Sequence, residues 1–203
     1  MEKLPFYSPE LQRSHDPIAR ESYGEVVAIL QDVEVQAEIE AGNVTLAMIR
    51  PNVGPNANIE GLPDLEASDR IEEMIEGLGV MAKFSFRFSA EAAEEFYGGG
   101  PKQSMINERP LDPNKYSSRW PEFIAFMASG NTTVLLLHSP DGDAIAKWRS
   151  HLGHWNIDEV RDASTIRGKF GVNKFNNLVH GSDSPEAVRR ELKIIKDCLF
   201  TQN

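Results

Sequence analysis

Apolar positions along the chain change period from segment to segment, and each change marks an element. Val26, Leu30, Val33 and Ala37 fall on one helical face, while Val33, Val35, Ala37 and Ile39 also alternate as a strand would. This segment is read as helical, and Gly42-Asn43 breaks it. VTLAMI (Val44 to Ile49) is then a continuously apolar run, a buried strand stopped at Arg50-Pro51 because proline has no N–H for the ladder. A loop rich in Pro, Gly and Asn leads from Pro51 to Pro63 into LEASDRIEEMIEGLG, where Leu65, Ile71, Met74, Ile75 and Leu78 share a helical face and Gly79 ends it.

Next, Phe84, Phe86 and Phe88 alternate with Lys83, Ser85 and Arg87, the pattern of a strand buried on one face. Antiparallel sheets accommodate such a strand more readily than parallel ones. Ser89 caps a short helix, AEAAEEFY, and Gly98 to Ser118 reads as a loop long enough to count as an insertion. A helix over Trp120 to Ala128, the strand TTVLLLH and the helix DAIAKWRSHLG follow, the last ended by Gly153. An irregular stretch from His154 to Asn176 precedes a short strand, NLVH, and a final helix from Ser184. This order predicts an α+β fold, a ferredoxin-like sandwich with helices packed on one face of a four-stranded antiparallel sheet.

Composition narrows the function. The net charge of -10, from 21 Lys+Arg against 31 Asp+Glu, repels phosphate backbones and anionic lipid, so neither nucleic acid nor a membrane is an expected partner. No apolar run approaches the roughly 18 residues of a spanning helix, and MEKLPFYSPE lacks the apolar core of a signal peptide. A single cysteine, Cys198, excludes an internal disulfide and a Cys-rich zinc site. A cytoplasmic protein is expected.

The usual signatures of nucleotide and zinc sites are missing. Gly168-Lys169 has no upstream Gly-rich turn, no GxGxxG follows a strand, and no HExxH lies on a helix. His151 and His154 stand three apart without a third ligand beside them. The end of the chain is more informative. In NNLVHGSDSPEAVRRELKIIKD, His180 sits at a strand's edge beside a helix start, with Ser184 as cap and Pro185 in the first helical position. Glu191 shares that helix's apolar face with Val188 and Ile195, so its carboxylate needs a partner. If His180 is that partner, one ring nitrogen is fixed and the other is left free as a nucleophile. The same spacing also describes a core histidine satisfied by a core glutamate, and spacing does not separate the two. Arg50, Arg149 and Arg167 are candidate phosphate ligands, because guanidinium forks suit phosphate oxygens, or else solvated surface charges.

TLAMIRPN, EEFY, FMASG, the Arg149 helix, TIRG and above all NLVHGSDSPEAVRRE, in this order, resemble the nucleoside diphosphate kinase family over roughly Val44 to Asp197. The resemblance implies a ferredoxin-like core and transfer of the terminal phosphate of a nucleoside triphosphate to a nucleoside diphosphate, by a ping-pong route with Mg²⁺ through phospho-His180. It gives Glu191 and the Ser182 hydroxyl the task of orienting that ring. Arg149 and Arg167 would hold the phosphates, with Arg50 where the family carries a lysine. Tyr97 would stand near the transferred group and Asn177 would bond the ribose. Asp183 would reach the metal through water, and Trp120 is the nearest counterpart of the base-stacking aromatic. A homo-oligomer is implied as well. The chain departs from the family pattern at Lys169, where an acidic residue is usual, and at His154-Trp155-Asn156, where a phosphate-contacting threonine is lost. Residues 1–43 read as an N-terminal extension and 44–203 as the kinase-like domain, with insertions near 52–64 and 98–118. The alternative is a catalytically weakened, nucleotide-binding regulatory module of the same fold. A ferredoxin-like interaction domain with a structural His180 is the third reading.

Overall fold

A computed structural model describes residues 17–51 and 70–201 of the chain. The ambiguous N-terminal segment is helical, as α1 (Pro17–Gln31) and α2 (Val33–Glu40). Asp32 separates them by accepting bonds from the backbone of Glu34 and Val35, which caps α2. The sheet strands are β1 (Val44–Ile49), β2 (Gly79–Arg87), β3 (Asn131–His138) and β4 (Val179–Gly181), in the spatial order β2-β3-β1-β4, every pairing antiparallel. Between them lie α3 (Ala90–Tyr97), α4 (Gly100–Met105), α5 (Arg119–Met127), α6 (Ala144–Leu152) and α7 (Ile166–Phe170), and α8 (Pro185–Thr201) follows β4.

Sheet order explains the patterning. β1 and β3 are central, and the continuous apolar run of β1 is buried throughout. β2 is an edge strand with one face buried: Phe84 and Phe86 face the core while Lys83 and Arg87 do not. The larger core layer joins Leu46, Met48, Phe84 and Val134 of the sheet to Phe96 of α3 and Leu192 of α8. Helix α1 belongs to this layer through Val26 and Ile29, and its Ser22 hydroxyl donates to the Ser85 carbonyl of β2 at 2.6 Å.

Four expectations need correction. Helices do not cover one face only: Ala47, Ile49, Leu135 and Leu137 pack on the second face against Trp148 and Leu152 of α6 and Ile166 of α7. The segment read as a loop over 98–118 contains α4, and the irregular stretch 154–176 contains α7. The helix expected from Leu65 is helical at residues 70–72 and then turns; Ile71 is buried in the second layer, with Met74, Ile75 and Leu78 packed against it. Leu65 and the insertion expected near 52–64 lie outside the described residues.

Candidate active site

The site begins with the placement of β4. Leu178, just before it, has φ of 70°, a left-handed conformation that costs a residue with a side chain about 1–3 kcal/mol. Its carbonyl accepts from Arg50 N–H at 2.8 Å, and the chain then pairs His180 with Met48 and Gly181 with Ala47. Gly181 is required by a close approach. A Cβ there would collide with the indole of Trp148, whose Nε1–H donates to the His180 carbonyl at 3.2 Å. Gly181→Ala is therefore expected to cost about 1–3 kcal/mol, read as a lowered thermal midpoint, whereas an unchanged midpoint would mean that the indole yields freely.

Helix α8 starts where Ser184 Oγ accepts from Ala187 N–H, and it buries Val188, Glu191, Leu192 and Ile195. Glu191 thereby reaches β4: its Oε2 lies 3.1 Å from His180 Nε2 and accepts from the Ser182 hydroxyl at 2.6 Å. An ionised carboxylate can only accept, so Nε2 carries the proton and Nδ1 of the neutral ring keeps its lone pair. Phe96 and Tyr97 of α3 meet the imidazole edge-on, with centroids 5.1 and 5.7 Å away. Burial, the largest influence on Glu191, pushes its carboxyl up, but His180 in its charged form, the hydrogen bonds from His180 and the Ser182 hydroxyl, and Arg190 together hold it below its ordinary value.

The pH consequence has a definite sign. A carboxyl lower in the folded than in the unfolded chain binds fewer protons when folded, so its stabilisation is full above the unfolded value of 4.5 and is lost as pH falls through the folded one. Acid unfolding of Glu191→Gln should accordingly show a shallower loss of stability below pH 4.5 than the wild type. Equal slopes would contradict the assignment.

His180 opens on a cleft of about 750 Å³ whose lining includes Arg50, Arg149, Arg167, Asn177, Asp183 and Tyr97. The expected arginines do converge. Arg167 donates to the carbonyls of Val179 and Gly153, and burial first, then the charges of Arg50 and Arg149, lower its guanidinium to about 9, still protonated at neutral pH. Arg50 is 8% exposed and lies 5.5 Å from the ring centroids of both Tyr97 and Phe123. Its Nη1 donates to the Phe175 carbonyl at 3.1 Å and to Asn177 Oδ1 at 2.7 Å, while Nε is buried without a partner. Asn177 spends its amide hydrogens on the Trp155 and Lys174 carbonyls. The Tyr97 hydroxyl is likewise buried without a partner, and burial raises its phenol above the usual range against the pull of Arg50.

Ser182 stands behind the cleft rather than on its wall, its hydroxyl bonded to the same Glu191 oxygen that faces His180. One expected residue stands elsewhere. Trp120 is buried in the larger core layer, its indole N–H donating to Glu94 at 3.2 Å, and it does not line the cleft. Phe96, Phe123, Lys174, Phe175 and Arg190 also line it, without being marked as site residues by the sequence pattern. Arg190, adjacent to Glu191, was the one with a readable signal.

Residues 43–198 match the family model described as nucleoside diphosphate kinase. The nucleoside diphosphate kinase of Halorhodospira halophila is 35% identical over 150 residues, which is 73% of this chain and 89% of that protein. The one from Maricaulis maris is 37% identical over 116 residues, 57% of this chain and 71% of its own. Among solved structures, the Aquifex aeolicus nucleoside diphosphate kinase superposes with a TM-score of 0.55 at 30% identity, over 75% of this chain and 94% of that one. With the four-stranded antiparallel sheet already described, these matches establish that the chain belongs to the nucleoside diphosphate kinase family.

Proposed function

We propose that the protein transfers the terminal phosphate of a nucleoside triphosphate to a nucleoside diphosphate through phospho-His180. The observation that carries this reading is the His180–Glu191 pair at 3.1 Å, which opens on the cleft that Arg50, Arg149 and Arg167 line. In the first half-reaction the Nδ1 lone pair attacks the terminal phosphorus, an N–P bond forms, and the bond from that phosphorus to the bridging oxygen breaks, releasing the diphosphate. In the second, a terminal oxygen of the acceptor diphosphate takes the phosphoryl group and the lone pair returns to Nδ1. Glu191 offsets the positive charge that the ring gains, and the arginines offset charge on the equatorial and bridging oxygens. Tyr97 and Arg50 Nε offer unpartnered donors to the phosphate end, and the second lone pair of Asn177 Oδ1 remains for a ribose hydroxyl. Trp155, 52% exposed, has the ring most open to a base.

Among the described residues no three or more of His, Cys, Asp and Glu gather to hold a metal. Among the described residues that line the cleft, Glu191 is engaged and Asp183 is the other carboxylate. Such a donor set suits Mg²⁺ carried in on nucleotide phosphates and largely hydrated, with Asp183 reaching it through water. Bound so, the ion would supply further neutralisation of phosphate charge. Residues 1–43 are proposed as an extension to a domain of 44–203, and the assembly as a homo-oligomer in the cytoplasm. Among the described residues no helix is long and apolar enough to cross a membrane. Light scattering that gives a monomer at every concentration would refute the assembly.

Initial rates with ATP and GDP varied together test the reaction. Parallel double-reciprocal lines are expected, and intersecting lines would exclude a phosphoenzyme route. One observation favours the regulatory alternative: Arg50, where a lysine would be free to move, has Nη1 committed to Phe175 and Asn177. Tight GDP binding without any transfer would establish that alternative.

A further inference from the structure

Glu191 is buried, and its two oxygens are held differently. Oε2 has two donors, His180 Nε2 and the Ser182 hydroxyl, whereas the partner of Oε1 is Arg190, whose Nη2 lies 3.3 Å away. The same guanidinium sends Nη1 to the Phe96 carbonyl at 3.4 Å, in the last turn of α3, and its Cζ sits 5.9 Å from the Phe96 ring. That ring is the one set edge-on to His180 at 5.1 Å.

We infer that Arg190 is a positioning residue of the site, fixing the second oxygen of Glu191 and tying it to the end of α3 so that Oε2 stays turned toward His180 and Ser182. This rests on the reading of His180 as the nucleophile. A carboxylate offers about four acceptor positions, and without Arg190 the buried Oε1 keeps none of its bonds, leaving the group free to turn or to take up a proton. Arg190 is itself 51% exposed, so its own charge stays hydrated and the pair adds little to global stability. The effect belongs to the site. The charged or titratable groups facing Glu191 are His180 on β4, Arg190 on α8 and the Tyr97 hydroxyl on α3.

The test uses the full chain with ¹³C-labelled glutamate, as wild type, Arg190→Met and Arg190→Lys. The Glu191 carboxyl resonance, assigned by its loss in Glu191→Gln, is titrated by NMR, and the rate of protein phosphorylation by ATP is followed over the same pH range. Arg190→Met keeps the apolar stem and removes the charge, so the Glu191 midpoint is expected to rise by at least about half a pH unit, the acid limb of phosphorylation moving with it. Lysine is expected to restore most of the shift. A folded Arg190→Met protein with an unmoved Glu191 midpoint overturns the inference, as does a lysine variant that behaves like methionine. Absence of phosphorylation in the wild type would instead remove the proposed function, and the carboxyl titration would still decide the place of Arg190.

Discussion

His180→Ala is expected to lower phosphate transfer from ATP to GDP by at least about a thousandfold, the scale on which enzymes lose rate when a nucleophile is deleted. The substitution removes the Nδ1 lone pair on which both proposed half-reactions depend. It also takes one of two donors from Glu191 Oε2, leaving the Ser182 hydroxyl at 2.6 Å to keep that oxygen satisfied. The fold should survive, because the β4 ladder to β1 and the Trp148 bond to the residue 180 carbonyl are backbone contacts. GDP binding should therefore be retained in the variant, separating chemistry from affinity, and transfer within tenfold of the wild type would exclude His180 as the nucleophile.

Arg167→Met is expected to have the next largest effect, a loss of transfer of about a hundredfold or more, in line with removal of one preorganised donor to developing charge. Arg167 also carries a stability signature that the methionine variant should lose. Its guanidinium, lowered to about 9 by burial and by Arg50 and Arg149, is disfavoured as a cation in the folded chain. The unfolded chain then binds more protons, so the cost of keeping Arg167 charged is present in full below pH 9 and fades as pH rises above it. At neutral pH an anion in the cleft offsets that cost. GDP should raise the thermal midpoint of the wild type well beyond that of Arg167→Met, by mass action on the folded state. Loss of the bonds to Val179 and Gly153 works in the opposite direction on the ligand-free variant, which makes the ligand-induced increment the informative quantity. Equal increments in the two proteins would contradict a phosphate role for Arg167.

Much of this arrangement is legible in the sequence, where local pattern and tertiary structure agree. The run Val44 to Ile49 is β1, one of the two central strands and buried throughout, and the Phe84–Phe86 alternation marks β2, whose one face is buried. Ser89 caps α3 by accepting from Ala92 N–H, and Ser184 opens α8, both as their spacing to the helix indicated. Helices α4 and α7 escaped, being short pieces whose residues show no sustained amphipathic repeat. Layering over both faces was also missed, since the sequence of elements does not say on which side of the sheet α6 lies.

In the site, His180 and Glu191 could be paired from their places on a strand edge and a helix face, and the structure brings them together. Convergence of the three arginines depended on tertiary placement: Arg167 is aimed by carbonyls from two separate segments, Gly153 and Val179, which no local pattern reveals. Trp120 misled for the reverse reason. It is the aromatic nearest the expected position in the sequence, but it lies on the buried side of α5 with its N–H engaged by Glu94.

The most direct measurement of the central claim is a brief incubation with ATP labelled on its terminal phosphate and no acceptor, followed by acid and base treatment, peptide mapping and a chase with GDP. The account predicts one acid-labile, base-stable phosphate on the peptide that contains His180, discharged to GTP on the chase. A folded, nucleotide-binding protein that carries no phosphate, or carries it on another residue, would contradict it.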